Sequence, residues 1–304
     1  MRFTTNDAKD WIRTNIDLPP LRDMSAAVKA ENEPVGYLGT PGEDLLDLLA
    51  WKPYLDFAFA SERDSVLLRN LRFNVGRYFP EGFVQATERP IEEVLAAAGD
   101  EWFSIFDSFD QWPCLVNYDV YANLVHPRWE AFRRDDGFWR GVRNYLRMVQ
   151  DSVPCIVLLI TTNLRGKVGE YDVALRSILK EVEAYGVEVP QPTIQSFEGS
   201  AMSKKCQVCI PYWLSRFAAT PEGFVVDILE SLDYVGTEDV RMVHLILKVT
   251  PVDNPASAEE TTLLELVNFP HRSLVQTGKD EFELTSVRYP VLGEKPEQKA
   301  AGGL

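Results

Sequence analysis

Histidine and cysteine are scarce in this 304-residue chain, which has three of the first and four of the second. Four thiols at uneven spacing (Cys114, Cys155, Cys206, Cys209) cannot staple a small secreted scaffold. Cys206 and Cys209 form half of a zinc or redox pair, yet no second pair or nearby histidine completes four ligands, and their apolar surroundings mark them as packed thiols. Long apolar runs are also missing. Residues 155–160 form the longest run, far short of the roughly 20 residues of a membrane helix. The opening MRFTTNDAKDWIRTN has no signal-peptide character, so a protein of the reducing cytoplasm with no membrane partner is expected. No Lys-Ser/Thr follows a glycine loop, which excludes a P-loop, and neither G-x-G-x-x-G nor G-x-S-x-G occurs.

Positive charge is in deficit. Lysine and arginine number 31 against 46 acids, a net charge of −15, with 45% hydrophobic and 25% charged residues. This is the composition of a globular chain long enough for one large domain or two smaller ones. The acidic surplus disfavours non-specific binding of RNA or DNA. One local stretch runs the other way: Arg128, Arg133, Arg134, Arg140, Arg143 and Arg147 intermingle with Trp129, Phe132, Phe138, Trp139 and Tyr145. Such a mixture can hold nucleic acid by charge and stacking. Its helical spacing favours the plainer outcome, aromatics in the core and arginines in solvent.

Apolar periodicity gives the order of elements. A helix is expected over residues 5–17, ended by Pro19 and Pro20, and the polar segment to Pro34 has no assigned structure. Strands then alternate with helices: strand 35–38, helix 43–51, strand 55–60, a helix to Phe79, strand 82–86, helix 91–98, strand 102–106, helix 127–150, a central strand 154–161 buried on both faces, and helix 171–185. Such alternation requires right-handed crossovers, hence a Rossmann-like α/β fold with a mostly parallel sheet and helices on both faces. After Pro190 the pattern becomes antiparallel, with strands at 206–213, 240–249, 261–267 and 282–289 and a helix at 220–232. The expected organisation is an N-terminal helical extension (1–34), the Rossmann-like domain (35–250), a C-terminal β extension (251–290) and a disordered tail (291–304).

Ligands of open parallel sheets bind at the carboxyl ends of the strands, where the strand order reverses. The first strand-to-helix turn holds Gly36, Gly39 and Gly42, which suit either close approach of a cofactor to the backbone or an ordinary turn. Glu62, at the end of the second strand, is placed to accept hydrogen bonds from both hydroxyls of a ribose, or to help cap the next helix. His126 and His244 are weighed as a general base and a core residue respectively.

At this point the chain resembles the class I S-adenosylmethionine-dependent methyltransferases: a glycine turn, a strand ending in Glu62, a helix with R-N-L-R-F-N, a third strand followed by Thr87 and Glu88, a fourth strand ending in an acid, and a late hydrophobic MVHLILKV. The resemblance implies methyl transfer from S-adenosylmethionine, with the cofactor near Gly36, Gly39, Gly42, Glu62 and Glu88. Asp107 and Asp110 would orient or deprotonate an unidentified acceptor. The chain departs from the family pattern in lacking an acid before the glycines, a G-x-G and an Asn/Asp-Pro-Pro-Tyr/Phe motif. A non-catalytic interaction or assembly protein on a degenerate version of the fold is therefore the second reading. CIVLLITTN and CLVNYD, ending at Asp119, also resemble strands of AAA-type ATPases, but no phosphate-loop lysine accompanies them.

Overall fold

The computed structural model describes residues 7–97, 99–106, 112–119, 124, 138–164, 168–184, 201–236, 239–254, 257–259, 262–278 and 281–287. Helices α1 (Asp7–Ile12) and α2 (Leu18–Ala30) are joined without a break by a wide π turn, Arg13–Asp17. Contrary to the sequence reading, Pro19 and Pro20 do not end the helix. They lie in the first turn of α2, directly after the wide π turn, and their fixed φ suits the helix.

The parallel half follows as β1 (Gly36–Gly39), α3 (Leu46–Trp51), β2 (Phe57–Ser61), α4 (Ser65–Tyr78), β3 (Val84–Thr87), α5 (Ile91–Ala96), α6 (Gly99–Ile105), β4 (Leu115–Asp119), α7 (Phe138–Val149) and β5 (Ile156–Asn163). The second half is α8 (Val168–Ala184), α9 (Met202–Trp213), β6 (Phe224–Val235), β7 (Arg241–Pro251), α10 (Leu263–Asn268), β8 (His271–Gly278) and β9 (Glu281–Val287). One sheet contains all nine strands in the order β3-β2-β1-β4-β5-β7-β6-β8-β9. Strands β1 to β5 are parallel, and β7 runs against both β5 and β6. The expected Rossmann-like class, with antiparallel strands toward the C-terminal end, is the observed one.

Four assignments change. Residues 102–105 belong to helix α6, not to the fourth strand, because Trp102 and Phe106, one turn apart and the second just past the helix end, pack against Phe59. Residues 115–119 supply β4 instead. Helix α9 replaces the strand read at 206–213, and β6 replaces the helix read at 220–232. Finally, 263–268 is the short helix α10, closed by a capping box in which Thr262 and Glu265 satisfy each other's backbone amides.

The last hairpin joins the sheet through two parallel rungs, Leu232 with Arg272 and Asp233 with Ser273. Side chains reinforce this short ladder: Arg272 Nε donates to Glu230 Oε1 at 2.8 Å, Ser231 Oγ contacts His271 Nδ1 at 3.1 Å, and Ser273 Oγ donates to Asp233 Oδ1 at 2.5 Å. Burial would raise the Asp233 pKa, but His271, Ser273 and Ser203 outweigh it and hold the carboxyl below its ordinary value. A depressed folded pKa makes this stabilisation complete above the unfolded value of 3.8 and lost as pH falls through the folded value. Asp233→Asn should therefore cost about 1–3 kcal/mol in urea unfolding at neutral pH. The penalty should shrink in strong acid.

Candidate functional site

The strand order reverses between β1 and β4, so the loops after β1, β2, β3 and β4 open on one carboxyl edge. Gly39 is the last residue of β1 and pairs with Ala60 of β2 and Asn117 of β4. Glu62 is one residue beyond β2, and its amide donates to Thr87 O at the end of β3. Glu88 is one residue beyond β3 and exposed. Gly39, Glu62 and Glu88 are thus brought to one edge of the sheet. Gly36 is not: it opens β1 at the opposite end, where the ring of Phe57 occupies the space of a side chain, 2.1 Å from an ideal Cβ. Asp107, Asp110, His126 and the 128–137 part of the arginine-aromatic stretch lie outside the described residues.

The loop from β1 to α3 has two left-handed residues, Gly42 (φ 69°) and Leu45 (φ 56°). Gly42 meets the first at no steric cost, whereas Leu45 accepts the strain while fully buried. Gly39 is required for a different reason. A Cβ there would lie 2.4 Å from Tyr37 Oη and 2.7 Å from Asn117 O. The space beside this glycine is taken by the chain's own tyrosine.

With β4 in its correct place, the acid at its end is Asp119. Thr40 Oγ1 donates to the Asp119 carbonyl at 3.1 Å, closing the gap between β1 and β4, and Lys9 Nζ of α1 reaches the Asp119 carboxylate at 2.5 Å. Next to it, Arg13 Nε contacts Asp47 Oδ1 at 2.5 Å, and Asn117 Nδ2 donates to Asp47 Oδ2 at 2.7 Å and toward Tyr37 Oη at 3.4 Å. Burial raises the Asp47 pKa despite the adjacent guanidinium, and burial with the Asp47 charge raises that of Tyr37. A few residues on, His244 Nε2 contacts Asp17 Oδ1 at 2.7 Å while its Nδ1 contacts Thr161 Oγ1 at 2.8 Å. Helix α1 and the π turn therefore lie at the carboxyl edge, held by polar contacts to α3, β4 and β7, while α2 runs on to the amino end of β2, where Ser25 donates to Tyr54 O and Lys29 pairs with Asp56.

Glu62 Oε1 accepts the Asp64 amide at 2.9 Å, and Asp64, not Glu62, caps α4 by accepting from Val66 and Leu67. The second Glu62 oxygen has no partner among the described residues. Sequence reading missed Lys9, Arg13, Asp47 and Asn117, since nothing local ties an N-terminal helix to a strand about a hundred residues later. Asp119 was visible as the acid closing CLVNYD but was attached to another fold.

In the arginine-aromatic stretch, Phe138, Trp139 and Tyr145 are buried, and Arg143 and Arg147 both pair with Glu222, at 2.5 and 2.9 Å. The plainer reading holds over the described part. Among the described residues no helix is long and apolar enough to cross a membrane, and no group of three His, Cys, Asp or Glu side chains could hold a metal ion.

No protein-family model and no curated protein sequence matches the chain. Solved structures do. Trm1 of Pyrococcus horikoshii, in complex with S-adenosyl-L-methionine, aligns at 10% identity and TM-score 0.47 over 97% of this chain and 66% of that one. The putative methyltransferase YhhF of Escherichia coli aligns at 11% identity and TM-score 0.38, over 82% and 89%. The 23S rRNA methyltransferase ErmE gives 10% identity and 0.37, over 79% and 70%. The sheet itself, in the order 3-2-1-4-5-7-6 with β7 reversed, is that of a Rossmann-like α/β fold. Two strands, β8 and β9, extend it beyond β6.

Replacing Arg13 by Met should leave the Asp47 carboxylate buried without its cation and cost about 3–5 kcal/mol in urea unfolding. The double variant Arg13→Met/Asp47→Leu should recover most of that loss.

Proposed function

We propose that the protein binds S-adenosylmethionine along this edge and transfers its methyl group to an acceptor. The observation that supports this reading is the convergence of the β1 turn, Glu62, Glu88 and Asp119 on one edge at the order switch. The residues suit the group chemically. The unpartnered Glu62 oxygen would accept from ribose hydroxyls, and Glu88, one strand further out, would face adenine. The Lys9–Asp119 pair offers a cation and an anion side by side, which matches an amino-acid zwitterion: the carboxylate goes to Lys9 and the ammonium to Asp119.

The cofactor supplies an electrophilic methyl group, so the chain's task is to fix donor and acceptor in line and exclude water. Lys9 ties helix α1 to the end of β4, and Thr40 keeps β1 and β4 together. Asp107 and Asp110 remain candidates for orienting or deprotonating the acceptor, joined now by Asp119. A specific observation favours the second reading, a non-catalytic assembly protein: Tyr37 Oη fills the space beside Gly39, and α1 is already locked to the edge.

Calorimetry with S-adenosylmethionine and S-adenosylhomocysteine separates the two. Saturable binding is expected, weakened at least about tenfold in Glu62→Ala, since each lost charge-assisted hydrogen bond is worth about 1.5–3 kcal/mol. Lys9→Met should weaken it similarly. No heat with the native chain, or unchanged affinity in Glu62→Ala, would return the protein to the second reading.

A further inference from the structure

Helix α4 buries Leu68 and Leu71 against the sheet and turns a different set of side chains outward. Arg69, Phe73 and Arg77 follow at four-residue spacing along one face, with Val66 continuing the line toward the amino end. Phe73 is 73% exposed and Val66 59%, the two highest values among the large apolar side chains in the described residues. Arg63, Arg69, Arg72 and Arg77 are the basic residues here, and the only acid among residues 63–78 is Asp64. One oxygen of its carboxylate, Oδ1, accepts from the helix amides of Val66 and Leu67 at the amino end. Neither Arg69 nor Arg77 pairs with an acid among the described residues; Arg77 lies over the Tyr78 ring at 5.2 Å, while Arg72 is tethered to the Ala86 carbonyl on the flank. Along this helix the sign of a chain of net charge −15 is inverted; Glu43 of the β1–α3 loop lies on its flank, where it accepts from Asn70 at 2.6 Å.

A second observation falls on the same face. Gly76 lies inside the helix between Phe73 and Arg77, in ordinary helical conformation, and a Cβ placed on it would meet nothing within 4 Å. Glycine there is less favourable than alanine by about 1 kcal/mol, and no neighbour in the fold claims the space. The result is a bare patch of backbone beside an exposed ring.

We propose that the outer face of α4 is a docking surface for single-stranded nucleic acid. Phe73 offers a stacking platform for a base, Arg69 and Arg77 one turn to either side take the flanking phosphates, and Gly76 lets a sugar approach the helix closely. The alternation of cation, ring and cation matches a strand that alternates phosphate and base. A protein partner would call for a continuous apolar stripe, and here cations flank the ring on both sides. The acidic remainder of the molecule does not forbid this contact, because exposed charges more than about 8 Å away are largely screened at physiological ionic strength. The inference is independent of methyl transfer and concerns docking only.

Fluorescence anisotropy of the full chain with labelled single-stranded RNA and DNA of about 16 nucleotides tests it, in salt from about 50 to 200 mM. Binding is expected at low salt and should fall about tenfold in Phe73→Ala. The Arg69→Gln/Arg77→Gln variant should lower the log–log salt slope by about 1.4. Gly76→Ala should raise the melting temperature and still weaken binding, a pairing that loss of structure cannot produce. Absence of binding at low salt, or binding that all three variants leave unchanged, overturns the proposal. Self-association of the chain that Phe73→Ala abolishes would assign the face to a protein contact and overturn it equally.

Discussion

Eight consecutive residues of β5, from Ile156 to Asn163, are buried, and the strand is bonded on both sides: in parallel to β4 over five residue pairs and in antiparallel to β7 over eight. The rest of the molecule depends on this seam, because it is where the parallel half of the chain meets the reversed half. A strand covered on both faces has no polar side to give away, so Ile156 to Ile160 is continuously apolar. Its polar end, Thr161 to Asn163, is buried too and needs partners there. His244 on Thr161 supplies one, and the same imidazole reaches on to Asp17 of the amino-terminal helices. Sheet centre and carboxyl edge are thereby joined through one histidine.

That edge combines two kinds of constraint. Gly39 is glycine because Tyr37 and Asn117 crowd it, and Gly42 because the turn takes a left-handed residue. Around them, acids and bases occur in matched pairs, Lys9 with Asp119 and Arg13 with Asp47, the second pair nearly dry and the first about one quarter exposed. Buried pairs of this kind fix geometry more than they add stability. The partly exposed pair ties α1 to the end of β4, whereas the dry one holds the π turn against α3.

Much of the parallel half was legible because strand and helix differ in period there, and because Gly39, Gly42 and Glu62 fall at element ends where local chemistry shows. The failures have physical causes. In β6 the apolar positions Phe224, Ile228 and Leu232 recur every four residues, a spacing that suits a helix as well as a strand, and a register shift between Ile228 and Glu230 breaks the strand's own alternation. In α9 every residue from Ser203 to Trp213 is buried, which erases any periodicity and reads as a strand. Trp102 and Phe106 were taken for a strand because a short, aromatic-rich helix has few polar residues to reveal its turn. The contacts of Lys9 and Arg13 were beyond reach, since long-range ion pairs leave no local trace. Helix α4 was placed correctly, but its outward face acquired meaning only when Phe73 proved exposed.

The contact between Asp17 and His244 spans 227 positions of sequence. It sets an order of events during synthesis. The amino-terminal helices leave the ribosome ahead of the sheet, yet part of their docking surface, on β7, emerges only after the six earlier strands. Until then their apolar side, with Ile12, Ile16, Leu21 and Met24, has no complete partner. A long-range closure of this kind is slow and leaves the nascent chain open to aggregation or to chaperone capture. Lengthening the wait by slowing translation between β5 and β7 would act on yield without altering a single native contact.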